Sequence, residues 1–299
     1  MTFRLALLVA ALTVLAGCRT DAPDAPTATR AFTDDLDRTV QVPAEPRRVV
    51  TLAPSVTEMV AAAGGLDRLA ARTLYDDYPE AVRALPAIST YPLDRERLLA
   101  LGADLVVGTD QVNDVSEGDA LTALGVPAVY LSFGGLADVS RGLRRLGDLL
   151  GTADEAEAAA LELEARLSRH ALAGPDAPTA LVLISDGPLY VFGGASYVHE
   201  MVALAGGRSV TAGLPGEGTT LSPEWVVAES PDVVVVLEED YVAADLRAAQ
   251  PVWGPRVEGR VCGVSPDLVS RPGPRLADGI DALAACIRRA SISGQALRR

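Results

Sequence analysis

Glu58-Met-Val-Ala-Ala-Ala-Gly-Gly65 returns almost unchanged as Glu200-Met-Val-Ala-Leu-Ala-Gly-Gly207. A second pair keeps the same order: Glu96-Arg-Leu-Leu-Ala-Leu-Gly-Ala-Asp-Leu-Val-Val107 matches Glu224-Trp-Val-Val-Ala-Glu-Ser-Pro-Asp-Val-Val-Val235. Stacked-repeat architectures use units of roughly 20–50 residues, and a period of about 140 is far outside that range. The chain is therefore expected to fold as two similar lobes, with a cleft between them as the place to look for function.

The pattern inside each half gives the fold class. Arg48–Ala53, Leu69–Thr73, Ala103–Thr109 and Pro127–Phe133 read as strands, separated by helical stretches over Val56–Ala63, Asp94–Leu101, Gly118–Leu124 and Ala137–Leu150. The second half repeats the theme. Its strands are Thr179–Asp186, Arg208–Ala212, Asp232–Leu237 and Arg260–Val264; its helices lie near Tyr197–Ala205, Pro223–Glu229 and Gly279–Ala290. Val- and Leu-rich strands alternating with helices imply parallel βαβ units covered on both faces. The expected fold is α/β: two Rossmann-like lobes with parallel sheets, joined by one long α-helix, with the ligand cleft between them. Ala156, Ala160, Leu163, Leu167 and Ala171 form the apolar stripe of that connecting helix, placed over residues 151–174. Ser55-Val-Thr-Glu58 and Thr152-Ala-Asp-Glu155 have capping-box spacing. The lobes are bounded at 32–150 and 175–299.

The N-terminus reads differently. Arg4, the apolar run Leu5–Val14 and Leu15-Ala16-Gly17-Cys18 have the layout of a secretory signal over residues 1–18. The run is too short for a spanning helix, which needs about 20 residues. Its ending resembles a bacterial lipobox, which implies that Cys18 becomes a lipid anchor; an ordinary signal with an incidental cysteine is the alternative. Residues 19–31, rich in Asp, Ala, Pro and Thr, are expected to be a flexible tether. Cys262 and Cys286 remain, and in an exported chain they form either one disulfide within the second lobe or two buried thiols.

A net charge of −14 argues against nucleic acid, since little would neutralise phosphates. All 26 basic residues are arginine.

Arg48-Val-Val-Thr-Leu-Ala-Pro-Ser-Val-Thr-Glu58, Tyr75-Asp-Asp-Tyr-Pro79, Ile88-Ser-Thr-Tyr91 and the block beginning at Glu96 resemble the cobalamin-binding periplasmic proteins. These belong to the substrate-binding proteins of ABC importers for cobalamin, ferric siderophores and haem. The likeness covers roughly residues 32–290. It implies two α/β lobes joined by a long helix, a monomer, and delivery of cobalamin or a related corrinoid to a membrane permease. It places Tyr75, Tyr91, Asp267 and Arg271 at the cleft, with Phe192 and Tyr197 as further surface. It assigns Glu96 and Glu224 to permease docking, although each also sits in a first helical turn, where a carboxylate favours the positive end of the helix dipole. Where the cobalamin branch carries cleft tryptophans, this chain has Tyr91 and, before the Glu224 helix, Gly218. The only tryptophans are Trp225 and Trp253.

Other classes find less support. The two histidines, His170 and His199, stand on separate elements, a poor set for a metal-ion receptor. No nucleophile elbow, dinucleotide fingerprint or phosphate-binding loop occurs, so no enzyme is indicated and no cofactor is expected besides the ligand. An iron–siderophore receptor would want cleft arginines, for which Arg271, Arg72 and Arg95 are candidates. Haem would want an axial residue such as Tyr75, Tyr91 or His199.

Overall fold

The computed structural model describes residues 28–257 and 259–297. The expected secretory signal, Cys18 and residues 19–27 of the expected tether lie outside the described residues. Regular structure begins earlier than the expected boundary at 31. Thr29–Thr33 (β1) pairs antiparallel with Thr39–Pro43 (β2). Half of their residues are polar, so little in them signals burial; Phe32 and Val42 sink into the core and pin the hairpin to the first lobe.

The first lobe runs β3 (Val49–Thr51), α1 (Pro54–Val60), β4 (Leu69–Thr73), β5 (Ala87–Ile88), α2 (Arg95–Ala100), β6 (Leu105–Thr109), α3 (Val115–Ala123), β7 (Ala128–Leu131) and α4 (Leu136–Leu150). Its sheet has the order β5-β4-β3-β6-β7 and every pairing is parallel. Val49, Val50, Leu105, Val106 and Val107 are all fully buried, as strands covered on both faces must be.

Gly151, at φ +70°, turns the chain from α4 into α5 (Ala153–Leu167). α5 is the connector. It lies back along α4, and at its far end Arg166 pairs with Asp278 of the second lobe at 2.5 Å. Its fifteen residues make a rod of about 22 Å. That is shorter than the expected 151–174, because residues 168–178 finish the connection without a helix.

The second lobe runs β8 (Thr179–Asp186), β9 (Leu189–Phe192), α6 (Val198–Leu204), β10 (Arg208–Ser209), β11 (Gly218–Thr220), α7 (Pro223–Glu229), β12 (Val233–Val236), α8 (Ala243–Ala249), β13 (Val261–Gly263), α9 (Pro266–Val269) and α10 (Leu276–Leu297). Its order is β11-β9-β8-β12-β13, with β10 beside the start of β8. Here the all-parallel expectation needs correcting, since β9 and β11 are antiparallel. The expected strand Arg208–Ala212 shrinks to two residues because the outer half of β8 is already paired with β9. Cys262 on β13 is joined by a disulfide to Cys286 on α10.

The repeated octapeptide builds the same device twice. The helical turn Ala61–Gly65 that continues α1, and α6, each run into a glycine in the left-handed region, Gly64 at φ +85° and Gly206 at φ +86°. The next glycine seats the last helix of its lobe. A Cβ on Gly65 would stand 2.6 Å from Leu150 Cδ1 of α4, and one on Gly207 would stand 2.9 Å from Ile287 Cδ1 of α10. One buried apolar cluster runs through both lobes and includes residues of α4, α5 and α10.

Helix starts follow the sequence unevenly. Asp94 and Ser222 cap α2 and α7, accepting from Arg97 N at 2.9 Å and Trp225 N at 3.2 Å. The two expected capping boxes do not form. α1 starts at Pro54 with Ala53 as its N-cap, and Thr152 donates its hydroxyl to Ala63 O instead.

Candidate functional site between the lobes

Two cavities open at the carboxyl ends of the sheet strands, where ligands of open α/β sheets bind. One, about 250 Å³, spans the lobes: Gln111 and Val112 come from the first, and Ile184, Tyr190, Phe192, Tyr197, Glu217 and Gly218 from the second. The other, about 410 Å³, lies on the first lobe between Tyr91, Pro92, Leu93, Val112, Asn113 and Glu117. They share Val112 and form one recess. A larger hollow near Arg47 and Arg68 sits at the opposite, amino ends of β3 and β4 and is not part of this site.

The tyrosines expected at the cleft behave differently from one another. Tyr91 is 94% exposed at the mouth, beside a cis peptide to Pro92, and Tyr75 is 70% exposed on the loop after β4. Phe192 lines the spanning cavity half-buried. Tyr197 also borders it, but only 3% is exposed and its hydroxyl donates to Val269 O at 2.8 Å, so the phenol is not available as open surface. Burial pushes that phenol far above its usual pKa, and the charge of Glu217 adds to the shift.

Sequence reasoning missed Val112, Gln111 and Tyr190. Tyr190 explains Gly218: a Cβ there would stand 2.4 Å from the Tyr190 hydroxyl. The ring occupies the place in front of that glycine, in the antiparallel pair formed by β9 and β11. A Leu-Tyr-Val-Phe run after Gly187-Pro188 was the available signal.

Arg271 stands in an ion-pair cluster that crosses the seam. Its guanidinium lies at the floor of the seam, where it donates to Glu58 at 3.1 Å and to Asp77 at 2.7 Å, both from the first lobe, and pairs with Asp267 at 2.7 Å. Arg275 binds Glu58 through two nitrogens, at 2.8 and 2.6 Å, and its guanidinium lies 4.4 Å from the Tyr78 ring centre. The Glu58 side chain is only 1% exposed. Burial alone would lower the Arg271 pKa, but the hydrogen bonds to Asp77 and Glu58 outweigh it and hold the pKa above the usual arginine value. Arg275 is likewise raised, chiefly by its bond to Glu58. Burial acts to raise Asp77, yet the Arg271 hydrogen bond and the nearby arginine charges leave it below the usual carboxylate value. Three carboxylates thus meet two guanidiniums, and the cluster joins the lobes.

Arginine is missing from the residues lining either cavity. Arg95 pairs with Glu117 at 2.5 Å, and Arg72 donates to Thr73 O at 2.9 Å. His199 faces inward, its Nε2 against Gly193 O. Among the described residues, no group of three or more His, Cys, Asp or Glu is arranged to hold a metal ion. Glu96 and Glu224 are both exposed in the first turns of α2 and α7.

The pattern of the periplasmic binding protein family matches residues 49–254. A vitamin B12-binding protein of Pectobacterium carotovorum subsp. carotovorum (strain PC1) is 30% identical over 237 residues, covering 77% of this chain and 84% of that protein. Among solved structures, a periplasmic heme binding protein from Pseudomonas aeruginosa is similar at TM-score 0.70 and 30% identity, covering 81% of this chain and 92% of that one. A periplasmic vitamin B12 binding protein of Vibrio cholerae is similar at TM-score 0.69 and 22% identity, over 82% and 98% of the two chains.

Proposed function

The chain belongs to the periplasmic binding protein family, and from that premise we propose that it captures cobalamin or a related corrinoid between its lobes and passes it to an ABC permease. One observation carries the choice of ligand: the recess has aromatic and aliphatic walls with Glu117, Asp114 and Glu217 at its edges and no arginine in its lining. A ferric siderophore chelate of net negative charge would meet the carboxylates of Asp114 and Glu217 there with no arginine in the lining to offset them, a destabilising arrangement at short range. A corrinoid periphery built from uncharged amides would not. Its broad ring suits Tyr91, Tyr190 and Phe192, which supply area with little entropy loss. The vitamin B12-binding relatives support the same reading.

Calorimetry against cyanocobalamin, cobinamide, haemin and a ferric hydroxamate tests this. One corrinoid bound per chain is the expected result, and no heat with either corrinoid overturns it. Haem is the second reading, favoured by the exposed phenols of Tyr75 and Tyr91 and by the haem-binding relative. A haem spectrum lost on substituting one of those tyrosines is its signature.

Delivery rests on Glu96 and Glu224, which project from equivalent helices, one per lobe, as paired acidic points for permease arginines. With both reversed to Lys, permease association is expected to fall more than a hundredfold while the ligand dissociation constant stays within threefold. Ligand affinity lost in step with docking would contradict that role. A secreted chain lipidated at Cys18 would work in the periplasm, held at a membrane surface beside the permease.

A further inference from the structure

Glu58 and Glu200 are the same residue of the repeat, and each reaches out of its own lobe. From α1, Glu58 crosses to Arg275, which immediately precedes α10, the last helix of the second lobe. From α6, Glu200 crosses the other way: its Oε2 accepts from Leu136 N at 3.2 Å, the first residue of α4. α4 is the last helix of the first lobe. Each glutamate therefore meets the beginning of the opposite lobe's closing helix, and the two contacts are related by the same duplication that relates the lobes.

The second contact explains a residue that has no local reason. The N-cap of α4 is Gly135, although Ser, Asp or Asn there would satisfy an amide of the first turn. Its φ of −135° is open to any residue, so the glycine is not needed for backbone conformation. It leaves room for the Glu200 carboxylate, which any side chain there would displace. A Cβ at Gly135 would stand 2.8 Å from Glu200 Oε1. Asp138 of the same helix takes the Gly134 and Gly135 amides, at 2.9 and 2.8 Å, and leaves Leu136 N to the visiting carboxylate. The helix borrows part of its cap from the other lobe.

We propose that Glu58 and Glu200 are positioning residues that together fix the angle between the lobes, so that the ligand recess is formed before ligand arrives. Each glutamate acts through the start of a helix, and neither lines the recess. The two sides differ in strength. Glu58 is buried with bidentate geometry, and removing one member of such a pair leaves the other uncompensated. Glu200 is exposed and makes one cap bond, a smaller contribution. Loosening either reduces the fraction of molecules in the binding arrangement, and apparent affinity falls by that fraction.

Spin labels on azide-bearing residues at the exposed positions Leu124 and Val252, one per lobe, read the interlobe distance in the full chain with its disulfide intact. The native protein is expected to give one narrow distribution without any ligand. Glu58→Gln should at least double its width; Glu200→Gln and Gly135→Ala should each broaden it less. The double variant Gly135→Ala/Glu200→Ala should match Glu200→Ala alone, because both changes break one contact. Cyanocobalamin affinity should fall about tenfold in Glu58→Gln, through slower association; this arm alone rests on the corrinoid reading. If Glu58→Gln fails to fold, the Gly135 and Glu200 variants still decide. Unchanged widths in all folded variants, or lower melting temperatures with native widths, would overturn the proposal. Failure to bind any corrinoid would defeat only the ligand reading, because the distance measurement uses none.

Discussion

The two sides of the interlobe seam stand on similar sheets but are held in place by different chemistry. In the first lobe, the loop carrying Tyr75 and Asp77 is anchored by a side chain. Asp76 is buried and accepts from Thr73 N at 2.8 Å, from the Thr73 hydroxyl at 2.6 Å and from the Thr57 hydroxyl at 2.7 Å. Thr57 in turn touches Thr51 at 2.6 Å, tying the loop to β3 and α1. In the second lobe, Tyr190, Phe192 and Gly218 stand on β9 and β11, an antiparallel addition to the parallel sheet. That wall is anchored by backbone. Gly193 and Gly194 donate to Glu217 O and Leu214 O, both at 2.7 Å. Duplication supplied the frame, and each copy then acquired its own means of presenting a surface to the cleft.

The contrast predicts that the lobes fail through different substitutions. Asp76→Ala should have the larger effect, because it leaves the buried Thr73 amide and hydroxyl without an acceptor. Each such group costs roughly 1–3 kcal/mol, so a loss of about 3–4 kcal/mol is expected. Asp76→Asn, which retains one acceptor oxygen, should lose about half as much. Urea unfolding measures both. A loss below about 1 kcal/mol in Asp76→Ala would mean that the loop is not held by its carboxylate.

Gly193→Ala is the matching experiment on the other wall. A Cβ there would stand 2.4 Å from Gly216 O and 2.7 Å from Pro215 O, and both obstacles are backbone. Overpacking of this kind costs about 1–3 kcal/mol. Protection of the β9 and β11 amides from hydrogen exchange should fall while that of β3 and β6 stays native. Equal loss in both lobes would show that the walls are one cooperative unit, and the comparison would collapse.

The same contrast separates what the sequence discloses from what it hides. Val-rich β3, β6, β8 and β12 are visible because buried parallel strands must be apolar, and the repeat fixes their grouping into lobes. The glycines following α1 and α6 are equally plain. The β9–β11 pairing is hidden: the strands have four and three residues, and α6 and β10 lie between them in the chain. Tyr91 could be placed at the cleft through the family resemblance, and Phe192 through its position just before the Glu200 helix. Arg271 could be placed there too, but its role could not. Nothing local to residue 271 reveals a bond to Glu58, more than two hundred positions away, since only tertiary structure brings them together. The same is true of Gly135, whose meaning lies in a carboxylate from the opposite lobe.

Acid provides the mildest test, and its sign follows from Asp77. Partial burial would raise this carboxyl, but the hydrogen bond and charge of Arg271, with Arg275 and Arg83, hold it below its unfolded value of 3.8. A group with a depressed folded pKa contributes its stabilisation fully above the unfolded pKa and loses it as pH falls through the folded one. The Asp77 contact to Arg271 should therefore be intact from neutral pH down to about pH 5 and weaken only below about 3.8. The Asp77 side chain is 43% exposed, so solvent screening keeps the effect small. The spin-label distance titrated from pH 7 to pH 3 should widen only at the acid end, and Asp77→Asn should abolish part of that widening. The β9–β11 wall, held by backbone hydrogen bonds, should keep its exchange protection through the same range. Widening already between pH 7 and pH 5 would assign the acid response to another group and remove Asp77 from the set that holds the first wall against the second lobe.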